Sequence, residues 1–238
     1  MLSQKKVMPG DKKREMPMLD APTTVRIKFT KTGNLQFISH LDLQRTFHRI
    51  LVRANIPMWY TKGFNPHAKL VLGMPLSIGT QSVCEMADLR IERKISLEDI
   101  KNQLNEQLTD EMRVLDVYYP TSKFSDIAYA DYTITVKSDS VTAQTAHDAE
   151  DLFSKPVIMT KKSKSGEREV DIRDFIKNLN VTAHDGILTV HAVLSAGSTE
   201  NLNPEYVVTA LKALIGEDAP VYTIMRNRVF DEHLIEFK

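Results

Sequence analysis

Two short stretches of the chain bring together residue types that hold anions. Ser39-His40-Leu41-Asp42 has the S-x-x-D spacing of a capping box, and Arg45, Arg49 and Arg53 follow at helical intervals. After an apolar break comes Tyr60-Thr61-Lys62-Gly63-Phe64-Asn65-Pro66-His67, with Lys69 beyond it. A helix start offers unpaired N–H groups and the positive end of its dipole, and a glycine lets backbone donors approach a ligand closely. Phosphate is the guest such an arrangement suits. On the plain alternative, Ser39 and Asp42 only cap a helix while Arg45 and Arg49 form a solvated face. His40 and His67 carry a second chemistry, because imidazole changes charge near neutrality and a pair of them can act as acid and base in RNA cleavage or phosphoryl transfer. A helix and a strand separate them in sequence, and a local hydrogen-bonding role suits either one equally. The spacing of His40, Asp42 and His67 is not diagnostic of a metal centre, and no metal is expected.

Three further features support this set. Glu85 falls in phase with Val83, Ala87, Leu89 and Ile91, so if that phase faces the core its carboxylate is buried and must find a cation or donors. It is read as an anchor for an arginine or for the 62–81 loop, with Asp42 and Tyr60 in similar supporting roles. Lys161, Lys162 and Lys164 crowd a polar hairpin ending at Arg168, where lysine's point charge suits contact with a nucleic-acid backbone.

The elements that must position these residues are legible as patterns. Thr24–Thr30 alternates Val25, Ile27 and Phe29 with polar residues, which predicts a half-buried strand with a basic outer face. Leu35–Ile38 reads as a short second strand, and Leu43, Phe47, Ile50, Leu51 and Ala54 predict a helix over 40–54. Lys62–His67 is interrupted by glycine and proline and is expected to be irregular. Strands at Lys69–Leu72, Val83–Ile91 and Met112–Tyr119, with a helix capped at Ser96, complete a first α+β half. Residues 123–129 read as a linker. Tyr132, Ile134 and Val136 then open a second half with a helix at Ala143–Phe153, a type I′ hairpin signal at Asp185-Gly186, a helix start at Asn203-Pro204, and a last strand at Val221–Met225. The expected fold is α+β, two tandem ferredoxin-like (β-α-β-β-α-β) halves over 23–122 and 130–238, the second elaborated by the basic hairpin, behind a flexible tail over 1–22.

Composition bounds the function. The chain has 238 residues, 42% hydrophobic and 26% charged, so disorder and fibrous architectures are excluded. One cysteine, Cys84, excludes an internal disulfide, a Cys-rich zinc site and the three-cysteine cradle of an iron–sulfur cluster, and no cofactor is expected. Met1–Pro22 lacks the apolar run of roughly 7–15 residues of a secretory signal, and no stretch is apolar enough to span a membrane, so the cytoplasm is the expected compartment. Formal net charge is zero, yet the charge is segregated: between Thr23 and Gly73 eight basic residues face only Asp42, a net of +7, while Ser82–Tyr119 carries −4. Such segregation points to an anionic partner for one surface.

Phe37-Ile38-Ser39-His40-Leu41-Asp42 with Arg45, then Gly63-Phe64-Asn65-Pro66-His67, Pro75-Leu76, Gly79, and Ser82 with Glu85, resemble the bacterial radical SAM-linked protein family, a domain of unknown function. Lys162-Ser163-Lys164-Ser165-Gly166 with Asp171-Ile172-Arg173 resembles its second block. The family's usual Pro-His-Pro-Lys is Pro66-His67-Ala68-Lys69 here. The resemblance implies association with radical S-adenosylmethionine enzymes and RNA metabolism. Lys62-Gly63-Phe64 begins like the RRM's signature, but Asn65-Pro66 breaks the strand that should follow, so no RRM stacking platform is expected. Tandem ferredoxin-like halves also occur in CRISPR repeat-RNA-processing endonucleases, a likeness of fold only. The leading expectation is a non-catalytic, RNA-binding or substrate-presenting partner of a radical S-adenosylmethionine protein. An RNA-directed hydrolase or transferase using His40 and His67, and a protein-docking scaffold, are the alternatives.

Overall fold

In the computed structural model, which describes residues 16–163, 166–216 and 220–238, the chain divides into two compact units. The first comprises the residues up to Ile78 together with Cys84–Thr121, and the second comprises Gly79–Val83 with Ser122–Lys238. The architecture is α+β, with one large mixed sheet, a separate two-stranded sheet and four α-helices among the described residues. None of those helices is long and apolar enough to cross a membrane.

In the first unit β1 (Met18–Lys31) lies between β3 (Thr80–Arg93) and β4 (Val114–Tyr118), and β2 (Leu70–Leu72) pairs with β3. Helices α1 (His40–Arg53) and α2 (Leu97–Asn105) cover the face that carries Val25, Ile27 and Phe29. Phe29 meets Phe47 of α1 edge to face at 4.9 Å, and Ile100 and Leu104 of α2 join the same core. Both helices start on a serine: Ser39 and Ser96 accept the N–H groups of Asp42 and Asp99.

The second unit is built from β5 (Tyr129–Lys137), α3 (Ala143–Ser154), the hairpin β6 (Ile158–Ser163) and β7 (Gly166–Asp171), then β8 (Ile176–His184), β9 (Ile187–Ser195), α4 (Glu205–Ile215) and β10 (Val221–Phe230). Its strands run in the order β10-β5-β9-β8, all antiparallel, and β10 also pairs in parallel with Thr80–Ser82 at the start of β3. Asp185 and Gly186 both have positive φ, the conformation that a two-residue hairpin between β8 and β9 demands. The side-chain oxygen of Asn203 accepts the Glu205 N–H at the start of α4.

Four expectations are corrected. Leu35–Ile38 is not a strand: Gly33–Phe37 forms a 3-10 turn in which Leu35 N–H donates to Thr32 and Ile38 N–H to Leu35. Two apolar residues three apart fit one side of such a turn as well as they fit a strand. β1 starts at Met18, inside the stretch read as a tail; residues 1–15 lie outside the described residues. Residues 123–129 are not a plain linker, since Phe124–Asp126 forms a 3-10 turn and Ile127 is buried. Nor does β1 present a basic outer face. On that face Arg26 is only 1% exposed and Lys28 is half-buried.

Arg26 meets Asp88 of β3 through two parallel bonds, Nε to Oδ1 at 2.7 Å and an Nη to Oδ2 at 3.0 Å. Tyr118, opposite Arg26 on β4, has its phenol pushed up by burial. Removing one member of a buried pair strands the other charge, whereas replacing both with apolar groups restores packing. Arg26→Met should therefore cost about 3 kcal/mol in urea unfolding, and the double variant with Asp88→Leu should regain most of it. Equal stability of Arg26→Met and the parent would show the pair to be dispensable.

Candidate functional site

With the apolar stripe Leu43, Phe47, Ile50 and Leu51 packed on the core, the opposite side of α1 faces solvent. That side carries Arg45, Arg49 and Arg53, all exposed, together with the bare side chains of Leu41 and Val52. Asp42 is spoken for: it accepts from the Ser39 hydroxyl at 2.8 Å and from an Arg45 Nη at 3.1 Å, and these two bonds hold its carboxyl below the usual range. Among the described residues, Arg49, Arg53, Lys62 and Lys69 have no carboxylate partner.

The loop after α1 has a fixed stem and an irregular tip. Tyr60 and Ala68 form a β-bridge, Thr61 N–H donates to the His67 carbonyl at 3.0 Å, and Lys69 N–H donates to the Trp59 carbonyl at 3.0 Å. The stem is tied to β3 in turn, because Trp59 N–H donates to Arg90 and Arg90 N–H to Lys69. Arg90 also lies 5.2 Å from the Trp59 ring centroid. The tip runs from Lys62 to Pro66, exposed throughout, and Gly63 has φ of 140°, a conformation that L side chains rarely adopt.

His67 closes the loop. Its Nδ1 lies 3.1 Å from the Thr61 hydroxyl and 3.3 Å from the Asn65 carbonyl, while its backbone N–H donates to the same hydroxyl. Both ring contacts are made through Nδ1, so they fix the ring and leave Nε2 for another partner.

The histidine that senses His67 is His48 on α1, which the sequence did not single out. Burial lowers the His48 pKa first, and the charge of His67 adds to the effect. His40 sits elsewhere: it shares a small space with Lys31, Glu85, Leu72 and Met74, and among the described residues no hydrogen bond or ion pair joins it to His67. The paired-histidine expectation thus meets a geometry in which His67 has a different histidine beside it.

Glu85 is buried, 5% exposed, and lines that space with Lys31, itself 1% exposed. Lys31 donates to the Gln36 carbonyl at 3.3 Å. Two of the eight basic residues in the +7 segment, Arg26 and Lys31, are therefore inside the fold, and the surface carries the rest. The hairpin is also less open than expected. Lys161 donates to the Asn201 carbonyl at 2.5 Å and lies over the Phe175 ring, and burial, with Arg168 opposite, lowers its pKa. Its ammonium is a tether within the second unit. Lys162 pairs in register with Glu167; its side chain and all of Lys164 lie outside the described residues. No cluster of His, Cys, Asp or Glu among the described residues has the makings of a metal site.

Residues 24–204 match the family described as "Uncharacterized protein conserved in bacteria (DUF2344)". The chain belongs to that family. The matched span contains β1 from Thr24 onward, α1, the 59–69 loop and the β6–β7 hairpin, so the whole candidate site is family sequence. Among solved structures, a chain of a Cbf5-Nop10-Gar1 complex aligns with a TM-score of 0.49 at 12% identity, over 87% of this chain and 50% of its own length. An unknown protein from Galdieria sulphuraria aligns with a TM-score of 0.26 at 8% identity, over 87% and 99% of the two chains. The chain thus spans half the length of the first. No curated protein matches significantly.

Two measurements follow from this geometry. His48 is held below the ordinary imidazole value of about 6.5, so as pH falls through that value the unfolded chain takes its proton first and folding stability drops. Urea midpoints at pH 7.5 and 5.5 should show a smaller loss for His48→Asn than for the parent. Lys161→Ala should speed amide exchange across Ile158–Asp171 by removing the tether to Asn201; unchanged exchange would make the contact incidental.

Proposed function

We propose that this protein binds RNA through its phosphates, without cleaving it, and serves as an accessory or substrate-presenting partner of a radical S-adenosylmethionine enzyme in the cytoplasm. One observation carries the reading: helix α1 and the 59–69 loop that follows it in the chain expose Arg49, Arg53, Lys62 and Lys69 with no carboxylate partner among the described residues. Several exposed cations without internal partners suit a polyanion better than a small acidic ligand, since each phosphate neutralised releases a counterion.

The partner enzyme enters through the sequence resemblance. This chain has a single, buried cysteine, so a cluster-bearing active site would belong to another protein. We also infer that the two units are ferredoxin-like halves. The strand orders β4-β1-β3-β2 and β10-β5-β9-β8 support that inference, each placing the first and third strands of its unit at the centre.

Fluorescence anisotropy with a labelled RNA should show affinity falling steeply with salt, and Arg49→Ala and Arg53→Ala should each reduce the slope of log K against log salt by about 0.7. Identical slopes for parent and variants would reduce the helix to a solvated face. Crosslinking in cells, with identification of both the RNA and the protein attached, tests the two partners together; recovery of neither would defeat the reading.

A further inference from the structure

We propose that Phe64 is a base-stacking residue, so that the basic surface takes RNA in single-stranded form; this rests on the RNA reading above and specifies its ligand. Of the nine phenylalanines, seven are buried or half-buried, Phe37 is mostly exposed, and Phe64 is wholly in solvent. A phenylalanine left bare forgoes about 2 kcal/mol of burial.

The exposure is imposed by a built loop. Gly63 at φ 140° precedes Phe64, Asn65-Pro66 follows it, and the stem below is closed by the Thr61–His67 bonds and the Tyr60–Ala68 bridge. An aromatic ring held out by a closed stem loses little freedom when a flat partner covers it, so the cost of ordering is already met.

The neighbours select the partner. Lys62, Asn65 and His67 flank Phe64 in the loop, Lys69 follows in the stem, and His48 lies within electrostatic reach of His67. A protein pocket receiving Phe64 as an anchor would favour an apolar surround on this side as well. Here the tip is cationic and polar. Cations that follow a phosphate chain, beside an aromatic face that accepts any base, are the combination used for single strands. In an A-form duplex the bases are stacked on one another and the major groove is too narrow to admit the ring.

The test compares an unstructured RNA of about 12 nucleotides and mixed sequence with a duplex of equal length, at one salt concentration, using the full chain. Phe64→Ala should weaken single-strand binding about tenfold or more while duplex affinity stays within about twofold. Phe64→Trp should keep the parent's single-strand affinity, and its added fluorescence should be quenched by that RNA, over the background of Trp59. Single-strand binding by Phe64→Ala equal to the parent's would overturn the proposal. So would equal losses for both RNAs, or loss of a co-purifying protein with RNA affinities intact. Failure of the parent to bind either RNA would defeat the RNA reading itself, a result distinct from all of these.

Discussion

The edge-to-face contact of Phe29 with Phe47 is the constraint from which the candidate site follows. It seats α1 on β1 with Leu43, Phe47, Ile50 and Leu51 inward, and at 3.6 residues per turn this fixes the outward residues. Arg45, Arg49 and Arg53 need no interactions of their own to be displayed. The 59–69 loop is then held by hydrogen bonds to β3, the strand that also supplies Ala87, Leu89 and Ile91 to the same core. The core thus sets the position of both halves of the basic surface, while the residues that form that surface contribute little to the core.

The placement of β1 between β3 and β4 has the opposite effect on charge. Flanked by a strand on each edge, Arg26 is buried, and a buried guanidinium requires the bidentate partner that Asp88 provides. Lys31 at the strand's end shares an interior space with Glu85 and His40. Charges that are close in sequence therefore divide into an internal set, matched to carboxylates and carbonyls, and an external set on α1 and the loop. Segment charge registers the sum of the two and is blind to the division.

This explains how far the sequence could be read. Alternation in β1, the serine caps of α1 and α2, and Asp185-Gly186 each express a local rule, and each predicted element is present. Leu35–Ile38 failed because apolar spacing of three satisfies a 3-10 turn as readily as a strand. Arg26 failed because alternation separates two faces without saying which residues of the outer one are buried. At the site, Arg45, Arg49 and Arg53 were legible from helical spacing. His48 was not singled out, since its relation to His67 depends on how the loop returns to the helix. Lys161 looked free because its tether to Asn201 joins residues far apart in the chain. The exposure of Phe64 had a local signal, an aromatic between glycine and Asn-Pro, which ordinarily marks a turn that has no core to bury it in.

The same geometry bears on binding as against catalysis. A general base needs its imidazole oriented by a partner that strengthens it, usually a carboxylate on the far ring nitrogen. In His67 that nitrogen faces a carbonyl and a hydroxyl of its own loop, which fix the ring without adding negative charge. His48 is no substitute for such a partner, since its own protonation is disfavoured first by burial and then by the charge of His67. A loop that fixes His67 through a carbonyl and a hydroxyl therefore supplies an oriented ring with no carboxylate behind it, which is the weaker starting point for a general base.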